Sequence, residues 1–329
     1  MRPLFGYFVF GSIRMPCNRT KSFIFDWPQI CSPREFPMDF IKKLQFDPSK
    51  SLKDYETNYT GPYNKKKEAA EDFKQGLERL RELQDKLYAH NKHGVLIILQ
   101  ALDAAGKDGT IKHVMSGVNP QGCQVKSFKA PSGEELDHDF MWRCFKALPE
   151  RGNIGIFNRS YYEEVLAVRV HPGFLLKQNL PGVEKESDAD QAFWEMRFTD
   201  ITNFERYFSN NGYLVLKFFL NVSRKEQKER FLDRINEPAK NWKFTMSDVT
   251  ERQYFDEYLG AFEDMLKHTS KDFAPWYVIP ADKKWFMRLA VCNIIVSHLE
   301  KLDLKYPDAG PGHLADIEKA RVILENEDE

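Results

Sequence analysis

The chain has 329 residues, 42% of them hydrophobic, so it can bury a sizeable core and exceeds a single small module. A net charge of −1 excludes the global basic field of a non-specific nucleic-acid or membrane-surface binder, so any polyanion must be met by a local patch. Its five cysteines, at positions 17, 31, 123, 144 and 292, match neither a disulfide framework nor a zinc spacing, which predicts a reducing, cytoplasmic setting.

Residues 1–37 hold few charges and several prolines. The apolar run at 4–10 is short and precedes no convincing cleavage site, and no later run is long enough to span a bilayer. This stretch therefore reads as a peripheral N-terminal extension ahead of one domain over 38–303 and a tail over 304–329. Residues 39–63 mix charges with Pro48, Gly61 and Pro62 and predict an irregular arm. Phe73, Leu77, Leu80, Leu83 and Leu87 then recur at helical spacing, giving an amphipathic helix over 65–91.

Residues 94–112 read as strand, phosphate loop and helix. Val95 to Leu99 form an unbroken, branched apolar run suited to a central parallel strand buried on both faces. Ala104, Ala105, Gly106 and Gly109 keep side chains small, so backbone N–H groups can point at an anion from the following helix's N-terminus. Lys107, taken as an exposed loop lysine, would reach the bridging and terminal phosphates. Against the pattern GxxxxGK(S/T), Gly106 and Lys107 match, while Ala101 replaces the first glycine and Asp108 the hydroxyl residue that normally helps hold magnesium. Asp103 is the nearest oxygen ligand to take over that duty.

Asn119 to Gly122 is a turn, and residues 123–128 alternate like a strand. Ser132 with Glu135 reads as a capping box opening a helix through Phe140 and Phe145. Residues 152–157 form a third apolar strand that ends in Asn158-Arg-Ser-Tyr-Tyr-Glu-Glu164. Ligands of open α/β sheets sit at the carboxyl ends of strands, so this cluster and the phosphate loop should share one crevice. Trp194, Phe198, Ile201, Phe204 and Phe208 mark another amphipathic helix, followed by a strand at 213–220. Ser223 with Glu226 caps the next helix, where Arg224, Lys225, Lys228, Arg230 and Arg234, then Lys240 and Lys243, outnumber nearby acids. An aromatic-rich helix through Tyr254, Tyr258 and Phe262, a last strand at 276–279 and a helix over 285–299 follow. Residues 314–323 could pack on the body or on a partner chain. Strands separated by helices indicate an α/β fold with a parallel sheet covered on both faces.

Phosphoryl transfer needs cations on the migrating group and a metal held by oxygens. Lys107 and Arg159 flank the crevice from two strand ends, and Asp103, Glu163 and Glu164 could hold magnesium directly or through water. An ion pair with a neighbouring carboxylate is the plain alternative for Arg159, and only one of Glu163 and Glu164 can face the crevice from a helix. The basic stretch over about 224–250 fits a mobile lid, although by charge count alone it is a solvated helix. His113, His138 and His171 show no ligand spacing.

Taken in order, these residues resemble the family-2 polyphosphate kinases, P-loop phosphotransferases related in fold to thymidylate kinase, from about residue 40 to 300. Four blocks carry the resemblance: Ala101-Leu-Asp-Ala-Ala-Gly-Lys-Asp-Gly109, Val125-Lys-Ser-Phe-Lys-Ala-Pro131, Phe157-Asn-Arg-Ser-Tyr-Tyr-Glu163, and Arg230-Phe-Leu-Asp-Arg-Ile-Asn-Glu-Pro-Ala-Lys-Asn-Trp-Lys243, followed by Ala274-Pro-Trp-Tyr277. The resemblance implies a three-layer P-loop kinase fold, with a parallel five-stranded sheet flanked by helices and a helical lid. It also implies reversible transfer of the terminal phosphoryl of inorganic polyphosphate to ADP, and to AMP, with Mg²⁺ or Mn²⁺. By position, Asp103 would orient the accepting phosphate and bind metal, Lys107 and Arg159 would neutralise the transferred group, and Arg230 and Arg234 would close from the lid. Ala104, Ala105, Gly106, Asp108, Gly109, Thr110, Lys126 and Lys129 would supply further phosphate or nucleotide contacts. Many members carry Asp where this chain has Asn158, and Asn there resembles the subgroup called class III, which accepts both AMP and ADP. Implied partners are polyphosphate, adenine or guanine nucleotides and a second copy in a dimer or tetramer, with no nucleic acid and no membrane. Two rivals stay open: a nucleotide kinase using ATP as donor, and a nucleotide-binding regulatory protein with a degenerate loop. Retention of Asp103, Lys107 and Arg159 together argues against the second.

Overall fold

The computed structural model describes residues 38–327, so the expected extension over 1–37 and the last two residues lie outside the described part. The chain runs α1 (Met38–Leu44), α2 (Lys66–His90), β1 (Gly94–Gln100), α3 (Lys107–Val114), β2 (Cys123–Ser127), α4 (Trp142–Phe145), β3 (Ile154–Asn158), α5 (Ala167–Val170), α6 (Gln191–Asn210), β4 (Tyr213–Asn221), α7 (Arg224–Asn236), α8 (Met246–Thr250), α9 (Phe255–Thr269), β5 (Trp276–Pro280), α10 (Lys284–Glu300) and α11 (Pro311–Glu325). The five strands expected from apolar runs all form, in one parallel sheet of order β2-β3-β1-β4-β5.

β1 lies at the centre because its whole run is buried, so it satisfies both edges and both faces inside the sheet. On its neighbour β4, alternation separates the two helical layers. Lys217 and Phe219 face α6 and α9, where Phe219 stacks on Phe262 at 4.3 Å. Phe218 faces the other way, against Tyr277, whose hydroxyl meets His298 of α10 at 2.6 Å. α2 and α3 pack on α10 in that same layer. α2 buries Leu80, Leu83 and Leu87 and ends at Asn91 in the left-handed conformation, which turns the chain into β1.

One expectation is corrected and two are refined. The arm over 39–63 is irregular beyond α1, apart from the 3-10 turn Leu52–Asp54, yet it inserts Phe40, Ile41, Leu44, Phe46 and Leu52 into the core. Ser132 and Glu135 form no capping box, since the Ser132 side chain caps nothing and the segment is a short 3-10 turn, Gly133–Leu136. Gly133 has φ +54, which starts no helix, and Asp139 accepts the Met141 N–H at 2.9 Å, so helix begins again only at Trp142. α11 buries no residue, so of the two placements open to residues 314–323 the body is not the one taken.

Candidate active site

The strand order places the crevice. β1 pairs with β3 on one side and β4 on the other, so the connections leaving β1 and β3 diverge and open a gap at their carboxyl ends. Leu99 is level with Asn158, and the Arg159 N–H donates to Leu99 O at 3.1 Å, which sets the two loops side by side. Each loop holds a non-glycine residue in left-handed backbone, Ala104 at φ +59 and Arg159 at φ +64, a conformation that costs roughly 1–3 kcal/mol per residue and concentrates at functional sites. Gly106, at φ +110, is the N-cap of α3, and a Cβ there would also meet Met287 Cε at 3.1 Å. Gly109 is under no such constraint, since a Cβ there would meet only Arg288 Nη2 at 3.6 Å.

Lys107 is not the exposed loop lysine expected. It is the first residue of α3 and is buried, with Nζ donating to Ala101 O at 2.8 Å and Leu102 O at 3.4 Å. The small loop side chains let the backbone close around the amine. Burial, helped by repulsion from Arg159 and opposed by Asp103 and Glu163, pushes its ammonium down to about 8.

Arg159 Nη2 donates to Asp103 Oδ1 at 2.5 Å, and its Nη1 lies 3.6 Å from Glu163 Oε2. Glu163 foremost, then Asp103, raise the affinity of this guanidinium for its proton against the cost of burial. Burial disfavours the Asp103 anion, but Lys107 and Arg159 outweigh it and hold the carboxyl below the usual carboxylate range. Gln100 completes the pairing. With its amide oxygen toward the N–H and hydroxyl of Ser160, the orientation that matches donors to acceptors, its Nε2 donates to Glu163 Oε1 at 2.9 Å. Asn158 Nδ2 donates to Asp108 Oδ1 at 2.8 Å, and Lys243 Nζ reaches Asp108 Oδ2 at 3.2 Å. Tyr161 and Tyr162, buried behind Arg159, both donate to Glu205 Oε1, at 2.9 and 2.7 Å, and so anchor the segment to α6.

Two hollows meet here. One is a cleft of about 640 Å³ walled by cations, among them Lys107, Lys129, Arg159, Arg234, Lys240, Lys243 and Lys284. The other, of about 290 Å³, has apolar and aromatic walls including Pro131, Phe140, Val168, Phe174 and Tyr258. Asp103, Phe128, Lys129, Ala130 and Arg159 line both.

Of the residues singled out in the sequence, Asp103, Ala104, Gly106, Lys107, Asp108, Gly109, Lys129, Asn158, Arg159, Arg230 and Arg234 line the basic cleft. Glu163 lines the apolar cavity at the junction. Five do not serve as expected, Arg230 of α7 among them. Glu164, 4% exposed, lines the apolar cavity but is tied up there, pairing with Arg197 at 3.2 Å and accepting from Gln178 at 2.9 Å, and burial raises its pKa. Among the described residues no three such side chains, these included, are grouped to hold one metal ion. Thr110 is buried beneath the loop with Oγ1 donating to Gly106 O at 3.0 Å, and Ala105 is buried as well. Lys126 is exposed on the edge strand β2, outside the cleft walls.

The basic stretch over about 224–250, expected as a lid, is anchored at its start. α7 is held to the body by buried Gln227, Arg230 and Phe231, so the projecting part is the chain beyond it, through the turn Pro238–Lys243 and α8. Arg230 offers nothing to a phosphate, because its nitrogens are taken by Glu226 and by the carbonyls of Ala104, Ala105, Ala281 and Asp282. Arg234 does face the cleft, bound to Asp248 Oδ2 at 3.1 Å. Gln227, Lys284 and the aromatic cavity were not expected; Gln227 and Phe231, four apart and the first uncharged residues of α7, were a signal of its inward face.

A family model described as Polyphosphate kinase 2 matches residues 63–307. The chain is 50% identical over 262 residues to an ADP-polyphosphate phosphotransferase from Rhodopseudomonas palustris, covering 80% of this chain and 90% of that protein. It is 42% identical over 266 residues to an AMP/ADP-polyphosphate phosphotransferase from Meiothermus ruber, covering 80% and 94%. Its structure is similar to a crystal structure of polyphosphate kinase 2 from Arthrobacter aurescens, with TM-score 0.78 and 37% identity over 86% of this chain and 96% of that one.

Proposed function

The chain belongs to the polyphosphate kinase 2 family, and from that premise we propose that its two hollows divide the substrates, polyphosphate in the basic cleft and a nucleotide in the apolar cavity, with transfer at the junction. The protein is a phosphotransferase with the P-loop kinase fold. The wall of the basic cleft is what favours polyphosphate over ATP as donor. Its one aromatic residue, Phe128, is shared with the other cavity, so a second base would have no platform of its own.

The accepting phosphate needs no general base. Its last ionisation falls near pH ~6, so its oxygen is already a nucleophile at neutral pH. The obstacle is repulsion between two polyanions, and Lys107 and Arg159 relieve it from two sides of the transferred group. Asp103 fixes Arg159 in place.

Magnesium is the cofactor proposed, supported by two carboxylates, Asp103 and Glu163, in the lining of the apolar cavity beside Arg159. They would hold it with water and substrate phosphates, and when bound it would neutralise negative charge on the phosphates.

Both AMP and ADP are proposed as acceptors, with adenine or guanine as base. Support comes from Asn158, whose neutral amide lets Asp108 lie beside it; a carboxylate there would repel Asp108 or fix a metal in one register. The test is initial rates with Mg²⁺, long-chain polyphosphate and either ADP or AMP, the AMP stock being checked for ADP. ATP should form from ADP, and ADP from AMP. Asn158→Asp should change the ratio of the two kcat/KM values several-fold, about 1 kcal/mol. No turnover of ADP defeats the kinase reading, and no turnover of AMP restricts the enzyme to diphosphates. We also propose a cytoplasmic homo-oligomer. No helix among the described residues is long and apolar enough to cross a membrane, and α11 presents uncovered apolar side chains.

A further inference from the structure

Five consecutive carbonyls of the phosphate loop each accept a side-chain hydrogen bond. Lys107 takes those of Ala101 and Leu102; Gln227 Nε2 donates to Asp103 O at 3.0 Å; Arg230 Nη1 donates to Ala104 O at 3.2 Å and Ala105 O at 2.5 Å. The last three come from one face of α7. Gln227 and Arg230 are 3% and 6% exposed, buried beside Phe231 on a helix whose other charged residues are not buried.

Both side chains are fixed in turn. Arg252 Nη1 donates to Gln227 Oε1 at 2.8 Å, and a guanidinium can only donate, so Gln227 must present its NH₂ to Asp103 O. Arg230 Nε donates to Glu226 at 2.8 Å and Nη2 to Ala281 O at 2.5 Å. In a planar trans peptide the carbonyl and the following N–H point opposite ways. Carbonyls drawn toward α7 therefore turn the following amides away from it, and the N–H groups of Ala104 and Gly106, both on the cleft wall, have no acceptor among the described residues.

We infer that Gln227 and Arg230 are positioning residues that shape the phosphate loop from behind, Gln227 through the Asp103 carbonyl and Arg230 through those of Ala104 and Ala105, without touching polyphosphate. This rests on the loop being the phosphate cradle of the kinase proposed above. A cation that touched polyphosphate would be replaceable by lysine, whereas a fork that braces adjacent carbonyls would not.

The test compares Gln227→Met, Arg230→Met and Arg230→Lys with wild type and with Arg234→Ala, in the full chain. Amide hydrogen exchange is read over residues 102–109 and over β1, together with kcat, KM for polyphosphate, and the salt dependence of kcat/KM. Gln227→Met should speed exchange in the loop while leaving β1 protected, a pattern that general destabilisation does not produce. It should lower kcat about tenfold or more, as small displacements of a positioned group do, with KM for polyphosphate changed far less. Arg230→Lys should be as impaired as Arg230→Met, and both should keep the wild-type salt slope that Arg234→Ala reduces. Unchanged loop exchange and kcat in Gln227→Met overturn the inference, as does activity restored in Arg230→Lys together with a reduced salt slope in Arg230→Met. If Arg230→Met does not fold, Gln227→Met and Arg230→Lys decide. If the wild type transfers nothing from polyphosphate, the functional proposal fails, while the exchange experiment still judges the loop.

Discussion

Lys107 must be a cation to neutralise a migrating phosphoryl group, yet burial and Arg159 hold its ammonium down to about 8. The free enzyme therefore loses this charge as pH rises through about 8, and kcat/KM for polyphosphate should fall there. A flat profile between pH 7 and 9.5 would mean that the charge is not used. Stability has the opposite sign. With the folded pKa below its unfolded value of 10.5, the buried cation costs stability in full below about 8, and the cost fades toward 10.5. Lys107→Met removes that cost and also the two carbonyl contacts, so transfer should drop roughly 10²-fold or more with a change of only a few degrees in Tm at pH 7. The wild type should gain Tm relative to the variant between pH 8 and 10. Loss of a cooperative melt in the variant would show that the lysine's main task is structural.

At the scale of elements, the exposed chain beyond α7 meets the body through charges that a polyanion can compete for. Lys243 of that chain is paired with Asp108 of α3, and Asp248 of α8 with Arg234 of α7. Arg234→Ala and Lys243→Ala should each raise KM for polyphosphate and reduce the salt slope of kcat/KM by about 0.7–1 per lost phosphate contact. Slopes equal to wild type would leave both residues as solvated partners of their acids. The strands, the phosphate loop and the pairing of the two motifs at one crevice were legible because unbroken apolar runs and small loop residues have few alternative placements. The lid boundary was not, since counting charges cannot separate Arg230, saturated by carbonyls, from Arg234, open to the cleft. Nor could helical spacing choose between Glu163 and Glu164, which tertiary partners decide: Gln100 holds the first at the crevice, and Arg197 draws the second inward.

Across the whole molecule, α11 stands out as a 15-residue helix with no buried side chain and with Leu314, Ile317 and Leu324 exposed. An isolated helix of this length is marginal in water, so a second copy is the cover proposed for it. Ile317→Glu with Leu324→Glu should reduce the mass measured by light scattering while leaving Tm of the sheet domain nearly unchanged; an unaltered mass would sink that role. The sheet order has another consequence, for the life of the chain before it is complete. During synthesis the phosphate loop emerges early, but β3 with Arg159, and α7 with the groups that brace the loop, arrive only after long intervening segments, and parallel strands cannot pair through a local hairpin. If α7 braces the loop as proposed, a nascent chain should carry the loop's residues before it has the loop's shape, and should gain a hold on phosphate only once β3 and α7 are in place.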